Sequence, residues 1–156
     1  MIVWRITAAG RESSALSGEG SRLNGGRWNP KGFPVVYTAP SIASGALEIV
    51  VHAGLVTVPY VAIELDVPDD PIVPLSMTGA PPDWARRDEW CRAQGRLWVE
   101  SGTHLGMAVP SAVLGDELPE WNLVLNVNHP DFAKVVRLRT FRLWLDERLT
   151  HPSGTL

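Results

Sequence analysis

The stretch from Ser41 to Gly54, SIASGALEIVVHAG, constrains this chain more than any other. On a period of about 3.6 residues, Ser41, Gly45, Glu48 and His52 fall on one narrow stripe, and Ile42, Leu47, Ile49, Val50, Val51 and the alanines cover the remaining faces. A helix apolar nearly all round belongs inside a domain, packed on several sides. Its lone carboxylate then either meets solvent along an exposed seam, with His52 as an i, i+4 neighbour, or faces a cavity. Ser44 and Gly45, one turn before Glu48, leave room for a ligand to lie against the helix. Pro40-Ser41 marks the helix start with Ser41 as N-cap, and Gly54 suits its stop.

Strand patterns flank this helix. IVWRIT (2–7), FPVVYTA (33–39), VTVPYVAIELDV (56–67) and NLVLN (122–126) have the β-branched content or alternation of strands. VVRLRTFRLWLDERL (135–149) supplies one or two closing strands whose alternation changes phase near Thr140, as a bulge would cause. Residues 10–26 are rich in Gly, Ser and Glu and read as a long loop, and the Pro/Asp-rich segment from Asp66 to Trp84 reads as a connection. Asp83 to Trp98 has helical spacing, THLGMAVPSAVLG is a short apolar run broken by Pro110, and His129-Pro130-Asp131 is a turn. Strands and two or three helices in this order make no regular βαβ alternation. An α+β domain with a mixed, mainly antiparallel sheet follows, and 156 residues suit a single domain with one substantial core. The tryptophans Trp28, Trp84, Trp90, Trp98, Trp121 and Trp144 are expected in that core.

Charge and cysteine usage exclude several functions. The formal net charge of -3 disfavours direct contact with a phosphate backbone. One cysteine, Cys91, cannot form an internal disulfide, and the amino-terminal run is strand-like, so a reducing cytoplasm is expected. Every apolar run is interrupted before it reaches the roughly 18 residues of a membrane span. The four histidines are scattered, with no paired cysteines and no H-E-x-x-H, so no metal site is expected.

Two further motifs carry polar chemistry. In GGRWN the glycines Gly25 and Gly26 permit close backbone approach, and Arg27 offers a planar fork suited to phosphate or carboxylate; a glycine turn before an arginine is also common in ordinary loops. Ser111 in AVPSAVL lacks a G-x-S-x-G setting, which argues against a hydrolase nucleophile and leaves a plain turn serine as the simple reading.

Taken in order, GGRWN, VYTAPSIASGALEIVVH, AVPSAV, WNLVLNVNHPDF and FRLWLDERL resemble the RES-domain family, named for an arginine, a glutamate and a serine. The resemblance runs from Trp4-Arg5 to Arg148-Leu149 and makes residues 1–156 a single RES domain. It puts the family's arginine at Arg27, its tyrosine at Tyr37, its glutamate at Glu48 and its serine at Ser111. Val127 stands where the family commonly has proline, which bears on the local turn rather than on the chemistry. The resemblance implies a fold like that of ADP-ribosyltransferases and the toxin role of a bacterial type II toxin–antitoxin pair. The implied reaction breaks the nicotinamide–ribose bond of NAD, with water or inorganic phosphate as acceptor and no metal; transfer to a protein is the alternative, and a non-catalytic binding domain a more distant one. Arg27, with Gly26 beside it, would hold the pyrophosphate, Tyr37 would stack on nicotinamide or orient the ribose, Glu48 would stabilise the ribosyl cation, and Ser111 would position a ribose or phosphate oxygen. An Xre-type antitoxin covering the active site is the implied partner, in a complex that also holds a homo-oligomer of the toxin.

Overall fold

Residues 1–53, 58–114 and 120–149 are described by a computed structural model. Gly54, the start of the third strand pattern at Val56 and Thr57, and His151 lie outside them. Seven strands run as β1 (Ile2–Ala8), β2 (Val35–Thr38), β3 (Tyr60–Asp66), β4 (Ile72–Pro74), β5 (Gly106–Pro110), β6 (Trp121–Asn126) and β7 (Val136–Leu143), with helices α1 (Glu19–Asn24), α2 (Ile42–Ala53) and α3 (Asp88–Ser101) among the described residues. The strands divide between two sheets, β1-β3-β7 and β2-β6-β5-β4. All neighbours are antiparallel except β4 and β5. The sheets touch through one bridge, Trp4 to Ala39.

Alternation on the strands builds two apolar layers. Val3, Ile63 and Leu65 from one sheet meet Val36, Leu123 and Leu125 from the other in a fully buried cluster. The opposite residues of the four-stranded sheet, Val35, Met107, Val109 and Val124, pack against Trp28, Trp84, Cys91, Trp98 and Val99. The Trp28 ring lies 5.7 Å from that of Trp84 and 6.4 Å from that of Trp90. Burial pushes the Cys91 thiol pKa up, as an apolar setting should. Trp90 and Trp121 are half-buried, and Trp144, expected in the core, is 91% exposed just beyond β7.

Three other expectations are corrected, and the bulge expected near Thr140 is present. The polar segment 10–26 is not an open loop: it contains a 3₁₀ turn at Glu12–Ser14, the buried Ala15 and helix α1. Its polar side chains serve nearby backbone, Ser21 Oγ accepting from Val35 N at 2.9 Å and Arg22 pairing with Glu19 one turn away. The Asp66–Trp84 connection contains β4, whose three residues pair in parallel with β5. The bulge sits at Leu138, between the partners of Leu65 and Glu64, two residues before Thr140. Helix α2, finally, is not enclosed: Gly45 is its buried residue, against Ile6 and Ala39, whereas Leu47 and Val51 are 37% and 55% exposed. Among the described residues, tertiary structure supplies a partner on one side. Ser41 does cap it, its Oγ accepting from Ser44 N at 3.1 Å. The NHP turn also forms without the usual proline, because Asn126 Oδ1 accepts from Asn128 N and His129 Nδ1 accepts from Asp131 N.

Helix α3 docks where a side chain would not fit. A Cβ on Gly95 would stand 1.6 Å from the Trp28 carbonyl oxygen, while one on Gly20 of α1 would meet nothing within 4 Å. Gly95→Ala should therefore cost about 3 kcal/mol by overpacking, or prevent folding. Gly20→Ala should be neutral or stabilising by up to about 1 kcal/mol; urea denaturation of both variants checks the contrast.

Candidate active site

A cavity of about 440 Å³ opens between the two sheets and α2. Its walls come from the middle of β1 (Trp4, Arg5, Ile6), from α1 and the GGR segment, from β2 (Tyr37, Thr38), and from the polar stripe of α2, Gly45, Glu48 and His52. Of the residues singled out in the sequence, Gly26, Arg27, Tyr37 and Glu48 line this one space. Ser111 is absent from the lining and is buried behind Glu48.

The 24–29 loop is held rigidly by buried polar groups. Asn29 is wholly buried, and its Nδ2 donates to the carbonyls of Ser21, Pro30 and Phe33. Tyr37 donates its hydroxyl to Asn29 Oδ1 at 2.8 Å and accepts from Trp28 N at 2.9 Å. That hydroxyl is spent on the loop, and burial pushes its pKa far above the ordinary phenol range. Only the Tyr37 ring remains for the cavity. A Cβ on Gly26 would lie 2.5 Å from the Tyr37 hydroxyl oxygen, so no residue larger than glycine fits there.

Helix α3 grips the same loop from outside. Arg27 donates to the Ala85 carbonyl at 2.7 Å and to Asp88 Oδ1 at 3.1 Å, and Arg92 donates to the Gly26 carbonyl at 3.0 Å. Arg27 is thus oriented by a carbonyl and by an exposed carboxylate, and its planar fork has further N–H groups to offer.

A second cation in the wall was not legible as a site residue. Arg5 donates through Nη1 to the Tyr37 carbonyl at 3.2 Å, and its Nε is buried with no partner. Among the described residues it makes no ion pair, and burial lowers its pKa below the usual guanidinium value. A desolvated, uncompensated guanidinium in a cavity wall is a ready site for an anion. In the sequence it was one arginine in an alternating strand, with nothing to separate it from a solvent-facing residue.

Glu48 lines the same cavity as these cations, its side chain 22% exposed. Its Oε1 accepts from Ser111 Oγ at 2.9 Å and from Asn122 Nδ2 at 2.7 Å. No hydrogen bond among the described residues engages Oε2, which lies 3.9 Å from the exposed His52 Nε2. Ser111 follows β5 and Asn122 is the second residue of β6, and the pairing of Val109 with Asn122 and Pro110 with Trp121 makes them diagonal neighbours. The serine therefore touches the carboxylate rather than the open cavity. Asn122 was missed because an amide at the head of a strand carries no local signal. The described residues contain no cluster of three or more His, Cys, Asp or Glu able to hold a metal ion, and no helix long and apolar enough to cross a membrane.

A two-sheet α+β domain with a fixed carboxylate and partly buried arginines lining one cavity is the class this fold and site define. The RES domain family model matches residues 2–146. Among relatives, a protein named Toxin Res from Photorhabdus laumondii is 35% identical over 155 residues, covering 96% of this chain and 97% of its own length. A protein named Prs ADP-ribosylating toxin from a Sphingobium species is 34% identical, covering 91% of each chain. Among solved structures, the M. tuberculosis MbcT–MbcA toxin–antitoxin complex contains a similar chain, with a TM-score of 0.73 and 27% identity over 91% of this chain and 83% of that one. The chain belongs to the RES-domain family, and the relatives it matches along nearly their whole length are toxins.

Tyr37→Phe keeps the ring and removes the hydroxyl that joins Trp28 N to Asn29. It should cost about 1–3 kcal/mol, because a buried donor and acceptor lose their partner. Thermal melting together with faster amide exchange at Trp28 checks this; an unchanged exchange rate there would show that the hydroxyl does not hold the loop.

Proposed function

We propose that this protein is the toxin of a bacterial toxin–antitoxin pair and that it breaks the nicotinamide–ribose bond of NAD in the cytoplasm. The observation that carries this reading is Glu48: a carboxylate fixed through one oxygen, with no hydrogen bond from the described residues on the other, in the same cavity as Arg5 and Arg27. The ribosyl-transfer chemistry of NAD needs that combination.

Nicotinamide in NAD is a pyridinium. When the bond from its nitrogen to ribose C1′ breaks, the electron pair goes to the ring and the base leaves neutral, so departure needs no general acid. What remains is an oxocarbenium-like ribose, and a carboxylate beside it stabilises that developing charge. Glu48 Oε2 would accept a hydrogen bond from a ribose hydroxyl and bring negative charge to the sugar. Arg5 and Arg27 would take the two phosphates, and Gly26 lets the dinucleotide backbone approach. The Tyr37 ring would pack against nicotinamide or ribose while its hydroxyl keeps the loop in place. Ser111 would act through Glu48 rather than on a substrate oxygen. Water or inorganic phosphate would then attack C1′ and lose a proton to solvent or to His52 at the cavity mouth.

Transfer of the ADP-ribose to a protein is the second reading, favoured by the name of the Sphingobium relative. Both use the same residues up to the attack. The partner we propose is an Xre-type antitoxin that covers the cavity, which fits a chain whose site helix exposes Leu47 and Val51. DNA contact would rest with that partner, and a toxin homo-oligomer would be part of the complex.

Purified, antitoxin-free protein should release nicotinamide from NAD, and faster with phosphate if phosphate is the acceptor. Glu48→Gln should fold and bind NAD but lose turnover by roughly 100- to 1,000-fold. Arg5→Ala and Arg27→Ala should act mainly by raising KM. Full activity of Glu48→Gln would sink the mechanism, and a labelled protein with little free ADP-ribose would select transfer.

A further inference from the structure

We propose that Asn122 is a positioning residue for the reaction: with Ser111 it takes up Glu48 Oε1 and so presents Oε2 alone to the ribose. The inference rests on the NAD-cleaving reading for its catalytic consequence, and on this structure for its geometry.

Glu48 comes from a helix whose neighbours leave it half open to solvent, so helix packing does not by itself fix its carboxylate. A glutamate has three side-chain torsions, and a carboxylate at the mouth of a cavity is free to turn toward water or toward His52. Two donors from another part of the fold remove that freedom. Asn122 Nδ2 at 2.7 Å is the nearer of the two, and it sits on a strand paired on both sides, β6 between β2 and β5. Ser111 Oγ at 2.9 Å also accepts from Val113 N at 3.3 Å, which orients its proton toward Glu48. Oε1 thereby has two donors for its two lone pairs, and the carboxylate plane is set.

The chemistry of the donors matters as much as their position. Both are neutral, so neither cancels the charge that the ribosyl cation requires. An amide fills this role without titrating. The distance in sequence between Asn122 and Glu48 means that the two meet only when the four-stranded sheet is assembled against α2.

The test compares Asn122→Asp and Asn122→Ala with wild type, reading kcat and KM for nicotinamide release, NAD affinity and melting temperature. Asn122→Asp at neutral pH places a second carboxylate against Glu48 Oε1 and should lower kcat by roughly 100-fold or more, with KM within about threefold of wild type. It should recover as the pH falls from about 8 to about 5, because two carboxyls at hydrogen-bond distance share a proton and the introduced group then donates to Glu48. Asn122→Ala should lose roughly 10- to 100-fold in kcat and show no such recovery relative to wild type. A purely structural role would lower melting temperature and would not produce a pH-dependent rescue. Turnover of either variant within about threefold of wild type, or an Asn122→Asp defect that acid does not relieve, overturns the proposal.

A measurement independent of turnover separates this proposal from the reading beneath it. In proton–nitrogen correlation spectra, the Asn122 side-chain amide, assigned by its loss in Asn122→Ala, should shift when Glu48 is replaced by Ala. An amide insensitive to that replacement overturns the clamp even if a variant fails to fold. A wild-type protein that releases no nicotinamide but shows the amide shift would instead reject NAD cleavage and leave the clamp standing.

Discussion

The contact between Gly95 and the Trp28 carbonyl decides where everything around the cavity sits. Only a helix without a side chain at that point can approach so closely, and the approach brings Asp88 and Arg92 to the 24–29 loop. The loop in turn carries Gly26 and Arg27 into the cavity wall and is tied from the other side by the Tyr37 hydroxyl and the buried Asn29 amide. The wall is thus gripped between a helix and a sheet before any ligand arrives, so little ordering remains to oppose binding.

Within that frame, each of three arginines rests on a neutral carbonyl, and Arg27 and Arg92 also share Asp88. Arg5 rests on the Tyr37 carbonyl, Arg27 on that of Ala85 and Arg92 on that of Gly26. A carbonyl positions a guanidinium without cancelling its charge, and burial of the Arg5 Nε without a partner leaves an interaction unmade. The cost of keeping such a group desolvated in the free protein is of the kind found at functional sites.

How far the sequence discloses this depends on the range of the interaction. The cap at Ser41, the strand around Tyr37 and the stripe bearing Glu48 are local patterns, and the structure has all three. Gly26, Arg27, Tyr37, Glu48 and Ser111 stood out only through the order of five motifs, since each alone had an ordinary structural explanation. Ser111 is the instructive case, because its partner is a side chain 63 positions away that no spacing rule connects to it. Arg5 and Asn122 were silent for the same reason. The exposure of α2 was misread because its apolar residues describe what the helix could bury, whereas the described residues provide one packing surface. Helix α1 was missed because serine and asparagine side chains bonded to nearby backbone hold it, without an apolar face.

Two carboxylates on this chain, Glu64 buried and Glu48 partly so, show how differently the fold treats a charge. Glu64 meets Arg139 through two N–H groups, which holds its pKa below the usual carboxylate range, and its charge is matched where it stands. Glu48 is held by a hydroxyl and an amide, which orient it and leave its charge unmatched. An arginine in place of Asn122 would hold Glu48 more tightly still. It would also spend the negative charge on the protein instead of on a ribosyl cation. Neutral donors on one oxygen and an open second oxygen form the arrangement in which a carboxylate is both fixed and available, and the fold reserves it for the residue that faces the cavity.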